Sequence, residues 1–250
     1  MTSRITNGVL LKVFFRSFLL QASWNFERMQ NLGALFILAP ALRRMYDRET
    51  LPAVFRRHLA YFNTHPYMAC PVLGASLALE DKAARGESGS LGVEEFKGMI
   101  MAPYAAMGDA FFWGGMRPLA AGVGLFFAAK GSLWAPLVFL LFFNLPHLWL
   151  RGVGLFRGFR LGVRVVDIIQ RHRIPDLAVR CKEATIVLLG AFSAYLVFQG
   201  AQERELAGGW GLLLMPLMVG LVVLVRRGWS TLFLVLSGAG LVLALTGLLM

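Results

Sequence analysis

Four stretches of this 250-residue chain run about twenty residues each without a charged side chain: 131–150, 184–202, 206–225 and 228–250. A bilayer core of ~30 Å takes about 20 residues of helix to cross. Inside it every backbone polar group must be satisfied within the segment, which leaves helices or closed barrels. The stretches predict four transmembrane helices. Composition agrees: 57% of residues are hydrophobic, 16% are charged, and mean hydropathy is +0.63, whereas a soluble domain carries about 25% charged residues. A soluble enzyme, a disordered tail and a disulfide scaffold are excluded, since Cys70 and Cys181 are the only cysteines. Arg4, Lys12 and Arg16 are spread through the opening residues, which argues against a cleavable signal.

The net charge of +11 could serve nucleic acid or topology, and its placement decides. Nine Lys and Arg lie between Arg4 and Arg57, and eight between Arg151 and Lys182. The connection at 202–209 has only Arg204, beside Glu203 and Glu205, and the next has Arg226 and Arg227. Basic residues gather on the cytoplasmic side. The N-terminus, residues 151–183 and residues 226–228 are therefore expected inside, with the 203–209 turn and Met250 outside. Nucleic acid is not an expected partner.

The first half is less regular. Leu10, Val13, Phe14, Ser17, Phe18 and Gln21 form one helical stripe, and Leu51, Val54, Phe55, His58, Leu59 and Phe62 a second. Two readings fit residues 1–58: helices lying in the headgroup region of the bilayer, or helices packed on the rest of the protein. Residues 59–79 are free of charge but contain Pro66, Pro71 and Gly74, and residues 98–129 are interrupted by Pro103, Gly108, Asp109, Arg117 and Pro118. Paired interruptions point to re-entrant hairpins around a transport site, or to kinked ordinary helices. Gly86, Ser88, Gly89 and Ser90 mark a flexible connection between the two segments. The fold class is all-α: a polytopic membrane protein with amphipathic helices, broken segments over 59–129, a transmembrane helix at 131–150, a basic segment at 151–183 and three further helices over 184–250.

There is no Walker loop, HExxH or paired CxxC, and no metal or cofactor is expected. The run from Gln21 to Asn31 sets Trp24 beside Asn25, Glu27 and Asn31. Sugars present hydroxyls that donate and accept above apolar C–H faces, so their sites combine amides, carboxylates and an aromatic platform. The alternative is a structural Glu27 paired with an arginine. Asn63 and Thr64 offer polar contacts at the tip of the first broken segment, which Glu80 and Asp81 close. In the second, Asp109 and Arg117 are expected to pair, because isolated charges in a membrane are costly.

Gln21-Ala-Ser-Trp-Asn-Phe-Glu-Arg-Met-Gln30, Arg57-His-Leu-Ala-Tyr-Phe-Asn-Thr-His-Pro66, residues 74–80 and Gly108-Asp-Ala-Phe-Phe-Trp-Gly-Gly-Met-Arg-Pro118 resemble the IID subunit of mannose/fructose/sorbose-family phosphotransferase-system (PTS) transporters, with weaker likeness to about residue 200. The resemblance implies a bacterial inner-membrane subunit that pairs with IIC, the pairs forming a trimer that moves a hexose in an elevator-like manner. IIA and IIB carry the phosphate, so IID has no phosphorylated or catalytic residue of its own. It also implies that Asn25, Glu27, Asn63 and Thr64 serve the sugar site or its IIC-facing lining, beside the aromatic platform read above at Trp24. Gly108, Asp109, Trp113 and Arg117 would shape a hairpin or touch the sugar. Two departures stand out: Ala110 where the family commonly has proline, and a short 203–209 connection. They are the support for an alternative, a regulatory or scaffolding protein that keeps the fold but not transport. An intramembrane enzyme using His58, His65 or Asp109 would need those groups within reach of one substrate, and nothing in the sequence gathers them.

Overall fold

The computed structural model describes residues 5–87, 89, 91–203, 205, 209, 212 and 214–249. Ser88, Ser90, Arg204 and Leu206, on which the expected connections partly rest, lie outside them. Two compact units divide the chain, residues 1–188 and 189–250. The described residues are helical, with two isolated β-bridges and no strand.

In the first unit the helices are α1 (Asn7–Arg16), α2 (Asn31–Met45), α3 (Leu51–His58), α4 (Ala69–Ala84), α5 (Val93–Gly108), α6 (Arg117–Ala129), α7 (Ala135–Leu161), α8 (Val165–Arg171) and the start of α9 (Ile174–Glu203). The stripes foreseen on α1 and α3 face the core over most of their length: Leu10, Val13 and Val54 are buried, with Phe14 and Phe55 packed against them, whereas Phe18 and Gln21 at the end of the first are exposed. α4 is buried on nearly every side, as befits the apolar stretch at 69–79 that precedes Glu80 and Asp81. It crosses α7 at close quarters. A Cβ on Gly74 would strike the Leu155 carbonyl and come 3.0 Å from the Phe159 nitrogen, and one on Gly158 would strike the Pro71 carbonyl. Small residues that let two helix backbones touch are the usual adhesive between membrane helices, where lipid removes the hydrophobic incentive to associate.

The second broken segment is not broken. α5, a π-helical stretch (Asp109–Met116) and α6 form one continuous helical run. Pro118 lies inside this run, where a proline lacks the N–H and crowds the preceding turn, and the wider π turns of Asp109–Met116 stand directly before it. Val93–Ala129 has 37 residues, a length of ~55 Å at 1.5 Å per residue, well beyond a bilayer core. Among the described residues, it and Ala135–Glu203 are the runs long and apolar enough to cross a membrane. α6 ends where Gly131 takes φ +67°, with the Ser132 N–H reaching the Phe127 carbonyl at 3.0 Å. The helix expected at 131–150 therefore starts later and continues to Leu161. The second unit contains α10 (Leu214–Arg226) and α11 (Thr231–Leu249), which expose apolar side chains such as Leu217, Val219, Phe233 and Leu243.

One carboxylate ties four elements together. Glu80 of α4 is 0% exposed. Its Oε1 accepts from Arg57 Nε at 2.9 Å and His58 Nε2 at 2.8 Å, and its Oε2 from Tyr46 OH at 2.6 Å and from Arg57 Nη2. Lys97 of α5, 2% exposed, approaches His58 Nδ1 at 3.4 Å. The arrangement fixes one tautomer, with Nε2–H donating to the carboxylate and Nδ1 accepting from the ammonium. Burial alone would raise the Glu80 carboxyl, but the bonds from His58, Arg57 and Tyr46 prevail and bring it down to about 2. Burial, with Lys97 adding to it, holds His58 below the usual histidine range.

Both shifts favour the form populated at neutral pH. Stability from His58 declines as pH falls below ~6.5, where the unfolded imidazole takes its proton first. That from Glu80 is complete above ~4.3 and worth roughly 3 kcal/mol, lost as pH falls toward its folded value. The melting temperature in detergent should fall through both windows, and Glu80→Gln should lower it at neutral pH and flatten the acid limb. At the α4–α7 crossing, Gly158→Val should abolish the monodisperse species in size-exclusion chromatography. Gly190→Ala, in open space on α9, should leave it intact.

Candidate functional site

Residues 20–31 form a loop clasped to the segment after α3. Asn25 and Met29 exchange both backbone hydrogen bonds at 3.0 Å, with Met29 at φ +56°. The next rung pairs Gln30 N–H with the Phe62 carbonyl at 2.8 Å. Gln30 then uses its side chain as a strand uses its backbone: Nε2 donates to the Thr64 carbonyl at 2.8 Å and Oε1 accepts from the Thr64 N–H at 3.2 Å. Such pairing is what allows irregular chain to lie among buried residues, since orphaned backbone groups would be costly there.

Most of the residues singled out from sequence meet at this clasp. The Asn25 amide is committed to it, donating to Asn31 Oδ1 at 3.0 Å and accepting from the Arg28 N–H at 2.8 Å. Asn31 in turn donates to the Leu59 carbonyl at 2.8 Å. Trp24 and Phe26 pack edge to face at 4.8 Å, and Phe26 is 89% exposed. Glu27 is exposed and pairs with its neighbour Arg28 at 3.2 Å. Asn63 is half-buried, and its amide makes no hydrogen bond among the described residues. The Thr64 hydroxyl is buried without a hydrogen-bond partner among the described residues.

Gly108, Asp109, Trp113 and Arg117 divide differently. Gly108 lies so close to His65 that a Cβ would strike its ring, which joins α5 to the clasped segment. Trp113 lies 4.9 Å from His65, with the Arg117 guanidinium 4.5 Å above its own ring. The expected Asp109–Arg117 ion pair does not form, and Asp109 is exposed without one among the described residues. The arginine finds its partner in a π face, which gives a cation comparable attraction without a desolvated acid.

Sequence reasoning missed what lies behind these residues. Tyr67 stacks on His147 (3.9 Å, 9°) and touches His65 and Trp113 at 5.0 and 5.4 Å. Arg151, counted with the basic segment, is 4% exposed: it donates to the Ser17 carbonyl and hydroxyl and lies 4.7 Å over Phe18. His147 and Arg151 stand one turn apart on α7. That spacing, within a run free of other charges, was the available signal.

A family model described as the PTS system mannose/fructose/sorbose family IID component matches residues 4–199. The chain belongs to this family. The PTS system mannose-specific EIID component of Escherichia coli (strain K12) is 43% identical over 166 residues, 65% of this chain and 59% of that protein. This IID chain thus spans less than two thirds of that relative. The fructose permease IID component of Bacillus subtilis (strain 168) is 31% identical over 191 residues, 75% of this chain and 69% of its own. Among solved structures, a chain of the mannose transporter ManYZ in complex with microcin E492, seen by cryo-electron microscopy, is 31% identical at TM-score 0.61, with 97% of each chain covered. A second membrane-protein structure matches at TM-score 0.72 and 32% identity over 96% of each chain. The all-α membrane fold and the family thus agree with the sequence motifs.

Gln30 is the buried hinge-pin of the IID clasp. Gln30→Ala would strand the Thr64 N–H and carbonyl in the interior, at about 1–3 kcal/mol for each unsatisfied group. The expected result is a lower melting temperature and faster proteolysis between residues 20 and 31. Asn63→Ala, which breaks no bond, should match the wild type in both.

Proposed function

We propose that this chain is the membrane-embedded IID subunit of a phosphoenolpyruvate-dependent sugar transporter, pairing with a IIC subunit to translocate a mannose-type hexose that IIB phosphorylates on arrival. IIA supplies the phosphate to IIB, and three IIC–IID pairs make the assembly. The N-terminus is cytoplasmic and Met250 lies outside. This chain contributes binding and movement; the phosphoryl chemistry belongs to its partners.

One observation carries the reading: the clasp is closed by backbone and Gln30 bonds yet leaves Asn63, Thr64 and Glu27 with hydrogen-bonding capacity to spare. Asn63 and Thr64 both donate and accept, Glu27 accepts, and Trp24 offers an apolar face, the complement of a hexose. Asn25 acts by holding the loop in shape. The exposed pair Trp24–Phe26 suits a site completed by a second subunit, because interfaces favour aromatic residues at their centres. Asp109, Trp113 and Arg117 would adjoin it through His65.

In cells lacking other hexose carriers, Glu27→Gln and Asn63→Ala should each raise the half-saturation concentration for labelled hexose uptake. A neutral hydrogen bond is worth ~1 kcal/mol and a charged one ~2 kcal/mol, or roughly fivefold and thirtyfold. Copurification with IIC should be unchanged. Uptake indistinguishable from wild type in both variants would refute the assignment.

A further inference from the structure

The charge on α1 and α2 is not used by the sugar site. Lys12 and Arg16 stand one turn apart on α1, and Arg43 and Arg44 occupy the last turn of α2. Together with Val9 and Pro40 they line a cavity of about 270 Å³, with no acidic residue in its wall. None of the four forms an ion pair among the described residues. Arg16 is held in place: Nη1 donates to the Phe36 carbonyl at 2.9 Å, and its guanidinium lies 4.4 Å over the Phe36 ring. The C-terminal end of α2 offsets part of the mutual repulsion of Arg43 and Arg44, but the cluster keeps an excess of donors.

A second feature adjoins the cavity. Leu11, Phe15 and Leu19 fall on one face of α1 and its 3₁₀ extension, turned away from the core, and Phe15 is 62% exposed. Leu32 and Phe36 of α2 are also exposed. In a membrane protein such a face meets acyl chains. Four unpaired cations beside an apolar face match an amphiphile with an anionic head. A free anion would have no use for the face, and a nucleic acid none for its aliphatic part.

We propose that the α1–α2 cavity binds the phosphate of an anionic phospholipid, whose acyl chains lie along Leu11, Phe15 and Phe36. Lys12, Arg43 and Arg44 supply charge, and Arg16 is the pre-positioned donor. The site is distinct from the clasp and takes a lipid of the surrounding bilayer, not transported sugar.

The test is native mass spectrometry of the full chain in detergent, titrated with dioleoylphosphatidylglycerol or dioleoylphosphatidylcholine. A basic residue at a lipid surface is worth about fivefold in binding. Arg43→Gln/Arg44→Gln should therefore weaken phosphatidylglycerol binding on the order of tenfold or more, and Lys12→Gln alone about fivefold. Arg226→Gln/Arg227→Gln removes the same charge from exposed positions elsewhere and should change nothing. All the altered side chains are exposed, and unchanged melting temperatures would confirm folding. Should the double variant not fold, Lys12→Gln decides alone. Equal binding of phosphatidylcholine, equal loss in the 226/227 variant, or no loss in any cavity variant would overturn the proposal. So would displacement of the lipid by millimolar inorganic phosphate, which would make the occupant a free anion.

Discussion

A fully buried carboxylate sets the terms for the rest of the first unit. Glu80 belongs to α4, which packs against α2, α5 and α7, and leaving it unpaired there would cost several kcal/mol. Its four lone-pair positions are met by Arg57, His58 and Tyr46, and Lys97 completes the chain through His58. Each partner comes from an element that must be seated before the bond can form. The network therefore does for α2, α3, α4 and α5 what hydrophobic burial does in a soluble core, where water supplies the incentive. Lipid supplies little incentive of that kind, which is why directional bonds and the glycine-lined crossing of α4 with α7 carry the structure.

How far this was legible in the sequence depended on the range of the interaction. Charge-free stretches and helical stripes are local, and they located α7, α9 and the buried sides of α1 and α3 in outline. Helix limits drifted where turn chemistry intervened: Gly131 and Gly162, both at positive φ, moved α7 to 135–161. Pro103, Gly108 and Pro118 were read as breaks because proline and glycine punctuate soluble helices. Here the helix runs on through all three, with a π-helical stretch at Asp109–Met116 between Gly108 and Pro118.

The candidate site was legible as residue types and not as roles. Asn25 and Asn63 have the same chemistry on paper, yet one is spent on Asn31, Met29 and Arg28 while the other is free. Asp109 and Arg117 are eight positions apart in an apolar run, and charge economy alone favoured pairing them. Trp113 lay between and offered a cheaper partner. Arg151 looked like one of eight basic residues until α7 placed it against Ser17 and Phe18. Arg151 depends on an element distant in sequence, whereas Asn25 and Arg117 find partners within six residues through a loop and helix geometry that residue types alone do not specify.

The imitation of a strand rung by Gln30 has a mechanical consequence. A single side chain bridging both polar groups of Thr64 makes the loop before α2 and the segment before α4 one stiff piece, although 34 residues separate them in the chain. Trp24, Glu27, Asn63 and Thr64 must then travel as a unit whenever either helix shifts. These side chains are carried on a rigid bracket, and the give in this part of the molecule lies outside it.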